Sequence, residues 1–377
     1  MEAPNREYYN NLSKQCEDGE ITEEEYMETL DKDNCIASYY MKSCFYLGKG
    51  KFQEAKKEID EAISIANSLL ETKILTGSIQ DLKNVRFLNP KFQYFNAAGE
   101  IYANLGNTEE SLKFYIKSQY FAMQLKSDFD GINSGYVYSF RSVSTYSLSD
   151  LISNSITVCH PSKMNDPFDS LFLLWADEKN LNKICTKKAH IKPFRDSFQY
   201  FKIRCFVGNE ELTSDDNIVK QKIAMWSHYA DEHRGYCIKY KLSEHFIKEN
   251  RNTDYSHKYL KKVIPQPADK IQSVNIGTMN TNELFAFKSH EWENENEIRL
   301  ISYDASCKDD FQQIPLDESS RIETIYFGYR CPQNSIRDIM KILGNHVEYY
   351  KMDCDYDNIY SLKMIEINTP KSYSSEE

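Results

Sequence analysis

Small and apolar residues recur at helical spacing through the first third of the chain. Ser43, Tyr46, Phe52, Ala55, Ile59 and Ala62 form one set, and Gly99, Tyr102, Ser111, Tyr115 and Ser118 a second, with Gly50 and Gly106 at the turns. Upstream, Asn5–Leu12 and Thr22–Leu30 keep the same period, and Thr22 with Glu25 has the spacing of a capping box. From Val137 the pattern changes to short runs rich in β-branched and aromatic residues, which predict strands at Val137–Val143, Ile203–Val207, Tyr236–Tyr240, Glu297–Tyr303 and Glu323–Phe327. Helices are expected between them at Ser147–Asn154, Asn217–Tyr229, Ser243–Glu249, Met279–Phe287 and Gln333–Leu343. The pattern predicts a multidomain chain, with an all-α module over residues 1–133, a mixed α/β (α+β) domain over 134–366 and a polar tail over 367–377 that has no packing face and is expected to be disordered.

The two helical sets match position by position. Each places a small residue, a large one, a turn glycine, and then small, large and small residues where two antiparallel helices must approach closely. This order resembles the tetratricopeptide repeat. Ala55 and Ser111 stand 111 − 55 = 56 residues apart, well beyond the usual period of about 34. An insertion is therefore expected between Ile65 and Phe92, with breaks at Leu75-Thr76-Gly77-Ser78 and Asn89-Pro90. So short a stack needs the upstream helices as caps. The resemblance implies a protein partner held by the repeats.

Charge and cysteine usage narrow the setting. A net charge of −11 works against a generic nucleic-acid surface, which needs clustered Lys and Arg, so nucleic acid enters only as an acceptor. Residues 1–33 carry eleven Asp or Glu against three Lys or Arg, either as a solvated helical face or as a docking surface for a basic partner. The ten cysteines stand singly, without Cys-x-x-Cys spacing, as reduced core residues would. Met1–Cys16 has no apolar signal core, and the longest strongly apolar run, Leu171–Ala176, is far too short to span a membrane. A soluble, cytoplasmic protein is expected.

Four islands in the second half mix charges with aromatic residues, a costly combination to bury unless the charges are paired or used. They are Phe140-Arg141-Ser142, the turn-forming Asn165-Asp166-Pro167-Phe168-Asp169, the run from Met225 through Trp226, Ser227, His228, Tyr229 and Asp231 to His233 and Gly235, and Lys288-x-x-x-Trp292-x-x-Glu295-x-Glu297-x-Arg299. In that order, with a later Tyr326-Phe327-Gly328, they resemble a large bacterial family known only as a domain of unknown function, over about residues 136–330. No established activity comes with that resemblance.

An early-strand Arg, a middle Ser or Tyr and a late Glu two residues after another Glu are also similar to the ADP-ribosyltransferase arrangement, which implies a split sheet and NAD as substrate. On that resemblance Arg141 grips the pyrophosphate with its planar fork, Ser227 or Tyr229 takes the middle position, and Glu297 stabilises the developing oxocarbenium ion while Glu295 activates the acceptor. Trp226 or Trp292 stacks on a ring of the dinucleotide, and Lys288 adds a second phosphate contact. His228, Arg299, Asn165, Asp166 and Phe168 complete the cofactor-binding set. ADP-ribosyl transfer to a macromolecular acceptor, or NAD hydrolysis, follows as the expected function, and a bacterial defence or toxin role suits the architecture by analogy alone.

Other readings stay open. If strand alternation puts Glu295, Glu297 and Arg299 on one face, they also suit a mutually satisfied ion-pair ladder. Arg141 suits a structural salt bridge, and Asp166 and Asp169 suit turn caps. A non-catalytic adaptor, or a metal-dependent nuclease or phosphoesterase using Asp166, Asp169, Glu295 and Glu297, are the rival functions. His228 and His233 are five residues apart and do not share a helical face, so no metal is expected there.

Overall fold

The computed structural model describes residues 6–33, 35–75, 91–130, 135–166, 193, 196–208, 216–248, 256–266, 285–358 and 360–367. It divides into two compact units, one built on Met1–Ala122 and Trp175–Gln199 and the other on Met123–Leu174 and Tyr200–Glu377.

The helical stretch comprises α1 (Arg6–Glu17), α2 (Glu23–Asp33), α3 (Ile36–Gly48), α4 (Phe52–Leu75), α5 (Lys91–Asn104) and α6 (Thr108–Asp130). The capping box at α2 is formed: Thr22 N–H donates to Glu25 Oε2 at 2.8 Å, and Glu25 N–H donates to Thr22 Oγ1 at 3.2 Å. Each turn glycine adopts the left-handed conformation that an L side chain resists, with φ of +71° at Gly50 and +81° at Gly106. The two turns share one hydrogen-bond pattern. Gly50 and Lys51 N–H reach Leu47 and Tyr46 carbonyls, and Gly106 and Asn107 N–H reach those of Ala103 and Tyr102, so each helix ends in the same Schellman motif.

The small residues sit where the repeat pattern requires close approach. Ala55, Ala62 and Ala98 are buried in one core with Ile59, Ile101 and Phe95, while Ser111 Oγ donates to the Gly99 carbonyl at 2.6 Å. Tyr9, Leu12, Tyr26 and Leu30 of α1 and α2 form a second core against Ala37, Met41 and Phe45 of α3, which caps that end of the stack. The breaks expected at residues 76–78 and 89–90 lie outside the described residues.

The second unit contains β1 (Gly135–Arg141), α7 (Thr145–Ile152), β2 (Ser155–Cys159), β3 (Phe201–Val207), α8 (Ile223–Tyr229), β4 (Tyr236–Leu242), α9 (Glu244–Lys248), β5 (Ser256–Lys262), β6 (Ile264–Gln266), β7 (Phe287–Ser289), β8 (Glu297–Asp304), β9 (Phe311–Pro315), β10 (Arg321–Phe327), α10 (Gln333–Leu343), β11 (Glu348–Cys354) and β12 (Leu362–Glu366). Among the described residues ten strands join one curled sheet in the order β12-β11-β10-β4-β1-β3-β2-β9, with β8 and β5 branching from β3. The branch is visible in the register. β3 pairs along its whole length with β8, but touches β1 only at Tyr138↔Val207 and β2 only at Cys159↔Ile203. β10 and β11 are parallel and joined through α10, so both strands end on the same side of the sheet.

Period-two alternation along this register defines two faces. Tyr138, Phe140, Val207, Cys237 and Tyr326 share one, buried under α8 with Trp226. Ser139, Arg141 and Ile238 share the other, where Tyr236 Oη donates to the Ser147 carbonyl of α7 at 3.1 Å.

Several expected bounds move for identifiable reasons. α7 begins at Thr145 because Ser144 caps it, its hydroxyl accepting from Ser147 N–H. The helix expected over Asn217–Tyr229 is divided into a π turn at Asp216–Lys220 and α8, and the Trp226 indole N–H bridges the division by donating to the Val219 carbonyl at 2.8 Å. Most of the helix expected at Met279–Phe287 lies outside the described residues, and Phe287 itself opens β7. The tail is described only to residue 367. Among the described residues no helix is long and apolar enough to cross a membrane, and nine cysteines stand outside any disulfide.

Two glycines let backbone meet backbone. A Cβ at Gly235 would overlap the Arg141 carbonyl oxygen, and one at Gly328 would overlap that of His233. Gly50 has nothing within 4 Å of its Cβ position, so only its φ resists substitution. In urea unfolding followed by circular dichroism, Gly235→Ala should cost more than about 3 kcal/mol and Gly50→Ala about 1–2 kcal/mol. Equal costs would mean that the close approach at Gly235 is not a constraint.

Candidate functional site

The charged island around Glu297 folds into one buried chain of hydrogen bonds. Arg299 Nε donates to Glu297 Oε1 at 2.6 Å. Lys288 Nζ bridges Glu297 Oε2 at 2.7 Å and Glu295 Oε2 at 2.6 Å. Tyr229 Oη donates to Glu295 Oε1 at 2.6 Å, and Asn165 Nδ2 reaches Tyr229 Oη at 3.4 Å. Arg299 is fully buried and spends a further N–H on the Phe285 carbonyl. Two cations face two carboxylates, so the chain is neutral as a whole. Trp292 covers the Lys288 ammonium, with its ring centroid 5.0 Å away.

Burial alone would raise the Glu297 carboxyl, but the Arg299 and Lys288 charges and hydrogen bonds from Arg299 and Cys205 outweigh it and hold the pKa down to about 2. Burial alone would likewise lower Lys288, and the Glu297 and Glu295 carboxylates raise it instead. Burial, then the bond to Glu295, pushes the Tyr229 phenol up. Each group is thereby fixed in one protonation state. That arrangement is the ion-pair ladder, with one revision: the strand starts at Glu297, and Glu295 ends a 3₁₀ turn, with left-handed Asn296 (φ 48°) between them.

Arg141 stands apart. Cross-strand register puts Glu297 beside Val207 and Tyr138, on the α8 face, whereas Arg141 lies three residues beyond Tyr138 and points to the α7 face. There its Nη1 pairs with Asp150 of α7 at 3.2 Å, and Asp150 also accepts from Thr157. Arg204 shares that face and donates to Ser139 Oγ. Burial, then the like charge of Arg141, lowers its guanidinium to about 10. The guanidinium and the carboxylate expected to share a dinucleotide are on opposite sides of the sheet.

A cavity of about 690 Å³ opens elsewhere, beside the end of α8 and the carboxyl ends of the parallel strands β10 and β11. Ser227 and His233 line one wall, Tyr329 and Arg330 follow β10, and Cys354 and Asp355 close β11. Tyr356 and Tyr360 stand at its edge, 81% and 92% exposed. The loops that leave β10 and β11 on this side bring Tyr329, Arg330 and Asp355 to its lining.

The wall is built with backbone strain. Asp231, Glu232 and His233 have φ of 49°, 50° and 70°, three consecutive non-glycine residues in the left-handed region, each costing about 1–3 kcal/mol. The surroundings enforce the turn: His233 N–H donates to the Trp226 carbonyl at 3.2 Å, Gly235 N–H to that of Ala230 at 2.8 Å, and Arg330 N–H to that of His233 at 3.0 Å. The His233 ring stacks on Trp226 at 6.2 Å and 13°. Its Nε2 lies 3.4 Å from Ser227 Oγ, and its buried Nδ1 has no hydrogen-bond partner among the described residues. Burial, then the Arg330 charge, lowers the His233 pKa, which favours neutral imidazole.

The expected site residues therefore separate. Glu295, Glu297, Lys288 and Arg299 meet in the buried chain, half-buried Tyr229 and exposed Asn165 extend it outward, Trp292 covers Lys288, Ser227 faces the cavity, and Trp226 is fully buried core rather than a stacking surface. Ser227 is helical, not the middle-strand residue the ADP-ribosyltransferase resemblance implied. His228 is exposed on α8, Asp166 is buried at the end of its turn, and Phe168 and Asp169 lie outside the described residues. With Lys288 and Arg299 seated on Glu295 and Glu297, those carboxylates do not present an open ligand set to a divalent ion. Among the described residues no group of three His, Cys, Asp or Glu is placed to hold a metal. Sequence reasoning missed His233 as a cavity group, along with Arg330 and Asp355. The polar run ending in Gly235 was the available signal, since a glycine after it marks a tight turn.

Glu297→Gln would leave two cations facing one carboxylate, and should cost about 3–5 kcal/mol at neutral pH. Because its folded pKa is about 2 against an ordinary 4.5, Glu297 contributes stability that is complete above roughly pH 5 and is lost as pH falls toward 2. Unfolding free energy measured from pH 7 to pH 3 should fall less steeply for Glu297→Gln than for the native protein. Parallel curves would show that Glu297 is not held by the cations.

Residues 225–300 match a family described as a protein of unknown function (DUF2971), and residues 36–69 and 92–122 match the tetratricopeptide repeat. The second pair of ranges begins 92 − 36 = 56 residues apart, the spacing of the two helical sets. No curated protein and no solved structure matches the chain. The chain joins tetratricopeptide repeats, which generally mediate protein–protein interaction, to a mixed α/β domain whose segment from Met225 to Leu300 is similar to an uncharacterised family.

Proposed function

We propose that the α/β unit binds a nucleotide in the cavity at the ends of β10 and β11, and that the repeats hold a protein partner. The observation that carries this reading is the composition of the cavity. Its volume of about 690 Å³ falls within the usual range for small-ligand sites, about 300–1,000 Å³. Exposed Tyr356 and Tyr360 offer faces on which a base can stack, Arg330 offers a guanidinium to phosphate, and Asp355 and Glu232 offer carboxylates to ribose hydroxyls. NAD, the substrate implied by the sequence resemblance, is the first ligand to test, but its seat moves. An ADP-ribosyltransferase site built on Arg141 and Glu297 requires both groups in one hollow, and the sheet separates them.

Isothermal titration calorimetry of the full chain with NAD, ADP-ribose, AMP and inorganic phosphate tests the reading. NAD or ADP-ribose should bind more tightly than phosphate, and Arg330→Ala should weaken binding by about tenfold or more, the loss expected when a charge-assisted hydrogen bond of about 1.5–3 kcal/mol is removed. Arg141→Ala should leave the affinity unchanged. Absence of binding to every nucleotide by folded protein would favour the adaptor reading instead.

A further inference from the structure

Nothing in nucleotide binding alone requires a strained turn, an unpartnered buried imidazole nitrogen and a serine beside that imidazole. From their juxtaposition we infer that Ser227 is a nucleophile and His233 its general base, acting on a phosphoanhydride of the ligand. The choice of phosphorus as electrophile rests on the nucleotide reading; the serine–histidine assignment rests on geometry alone.

Three features of the fold assemble the pair. Trp226 and Tyr229, three residues apart on α8, both turn toward the sheet, one into the core and one onto Glu295. Ser227 is thereby left on the adjoining side of the helix, exposed to the cavity. The left-handed run then brings the chain back so that His233 Nε2 stands 3.4 Å from Ser227 Oγ. That separation is long for a ground-state hydrogen bond and is of the loosened kind seen in unliganded nucleophile–base pairs. The base of such a pair is usually oriented by a third polar group. Here the stack on Trp226 and the two backbone bonds at His233 fix the ring instead, and Nδ1 is left without a partner among the described residues. The hydroxyl already donates to the Ile223 carbonyl at 3.2 Å, a contact it must exchange for Nε2 to be activated. Arg330 lines the same cavity and supplies positive charge where a phosphorane would gather negative charge.

The chemistry balances without a further reactant beyond water. Ser227 Oγ attacks one phosphorus as its proton passes to His233 Nε2. The Oγ–P bond forms, the anhydride P–O bond breaks, and its electron pair leaves with the mononucleotide phosphate, which takes the proton from the imidazolium. Water then attacks the seryl phosphorus with His233 as base, the Oγ–P bond breaks, and Oγ recovers the proton from Nε2. Applied to NAD, the sequence yields AMP and nicotinamide mononucleotide.

The test is covalent labelling of the full chain with a fluorophosphonate, in which Oγ–P forms and fluoride departs, followed by peptide mass mapping. The native protein should be labelled at Ser227, and Ser227→Ala should not be. Asn tolerates the left-handed backbone of position 233 and lacks the base, so His233→Asn should retain its circular dichroism spectrum and label about 100-fold more slowly. No labelling at Ser227, or an unchanged rate in His233→Asn, overturns the assignment whatever calorimetry reports for nucleotides. Labelling that depends on His233 but is not slowed by any nucleotide overturns the nucleotide reading and keeps the pair. Chromatography after incubation with NAD separates the bond cleaved: AMP supports attack at phosphorus, and free nicotinamide without AMP contradicts it.

Discussion

Two carboxylates and two cations, removed from water around Lys288, set the constraint on which the second unit depends. Each ion in that chain would be costly to bury alone, and each is tolerable only because its neighbours accept or donate at 2.6–2.7 Å. Closing the network needs contributions from the loop before β8, from β7, from β8 and from α8, so four segments must reach register together. Tyr229 is the link to α8. Through it, the ion-pair network fixes the position of a helix whose next exposed face carries Ser227.

The same motif therefore does two things on two sides. Alternate positions of the run from Met225 to Gly235 are structural: Trp226 fills the core, Tyr229 joins the ion chain, and Gly235 permits contact with the backbone of Arg141. Between them, Ser227 and His233 face the cavity. Gly328, at the end of β10, meets His233 from the other direction and hands the chain to Tyr329 and Arg330. Strain in the turn is concentrated where the cavity wall is formed, and backbone hydrogen bonds to Trp226, Ala230 and Arg330 hold it.

Much of this was legible in the sequence where local rules dominate. Small residues and turn glycines at repeated spacing marked the helical hairpins, and Thr22 with Glu25 marked the start of α2, because capping and helix approach are decided within a few residues. β3, β4, β8 and β10 were visible as apolar runs buried on both sides. β2, β5, β9, β11 and β12 were not; at the sheet edges β9 and β12 carry Gln312, Gln313, Lys363 and Glu366 and lose the apolar signature. The charge islands were recognisable as paired groups, but which of them share a face depends on register. Arg141 and Glu297 belong to strands that meet only through β3, and one residue of parity decides the side on which each emerges. The cavity was the least legible feature. It combines the end of α8 with residues about 100 positions later, and no spacing in the chain announces that β10 and β11 run parallel.

Amide hydrogen exchange with and without saturating NAD or ADP-ribose tests most directly where the ligand sits. The account predicts that peptides covering residues 223–235, 328–332 and 354–362 gain protection, while those covering Arg141–Asp150 do not change. Protection confined to Arg141–Asp150, or to the strand from Glu297, would contradict it.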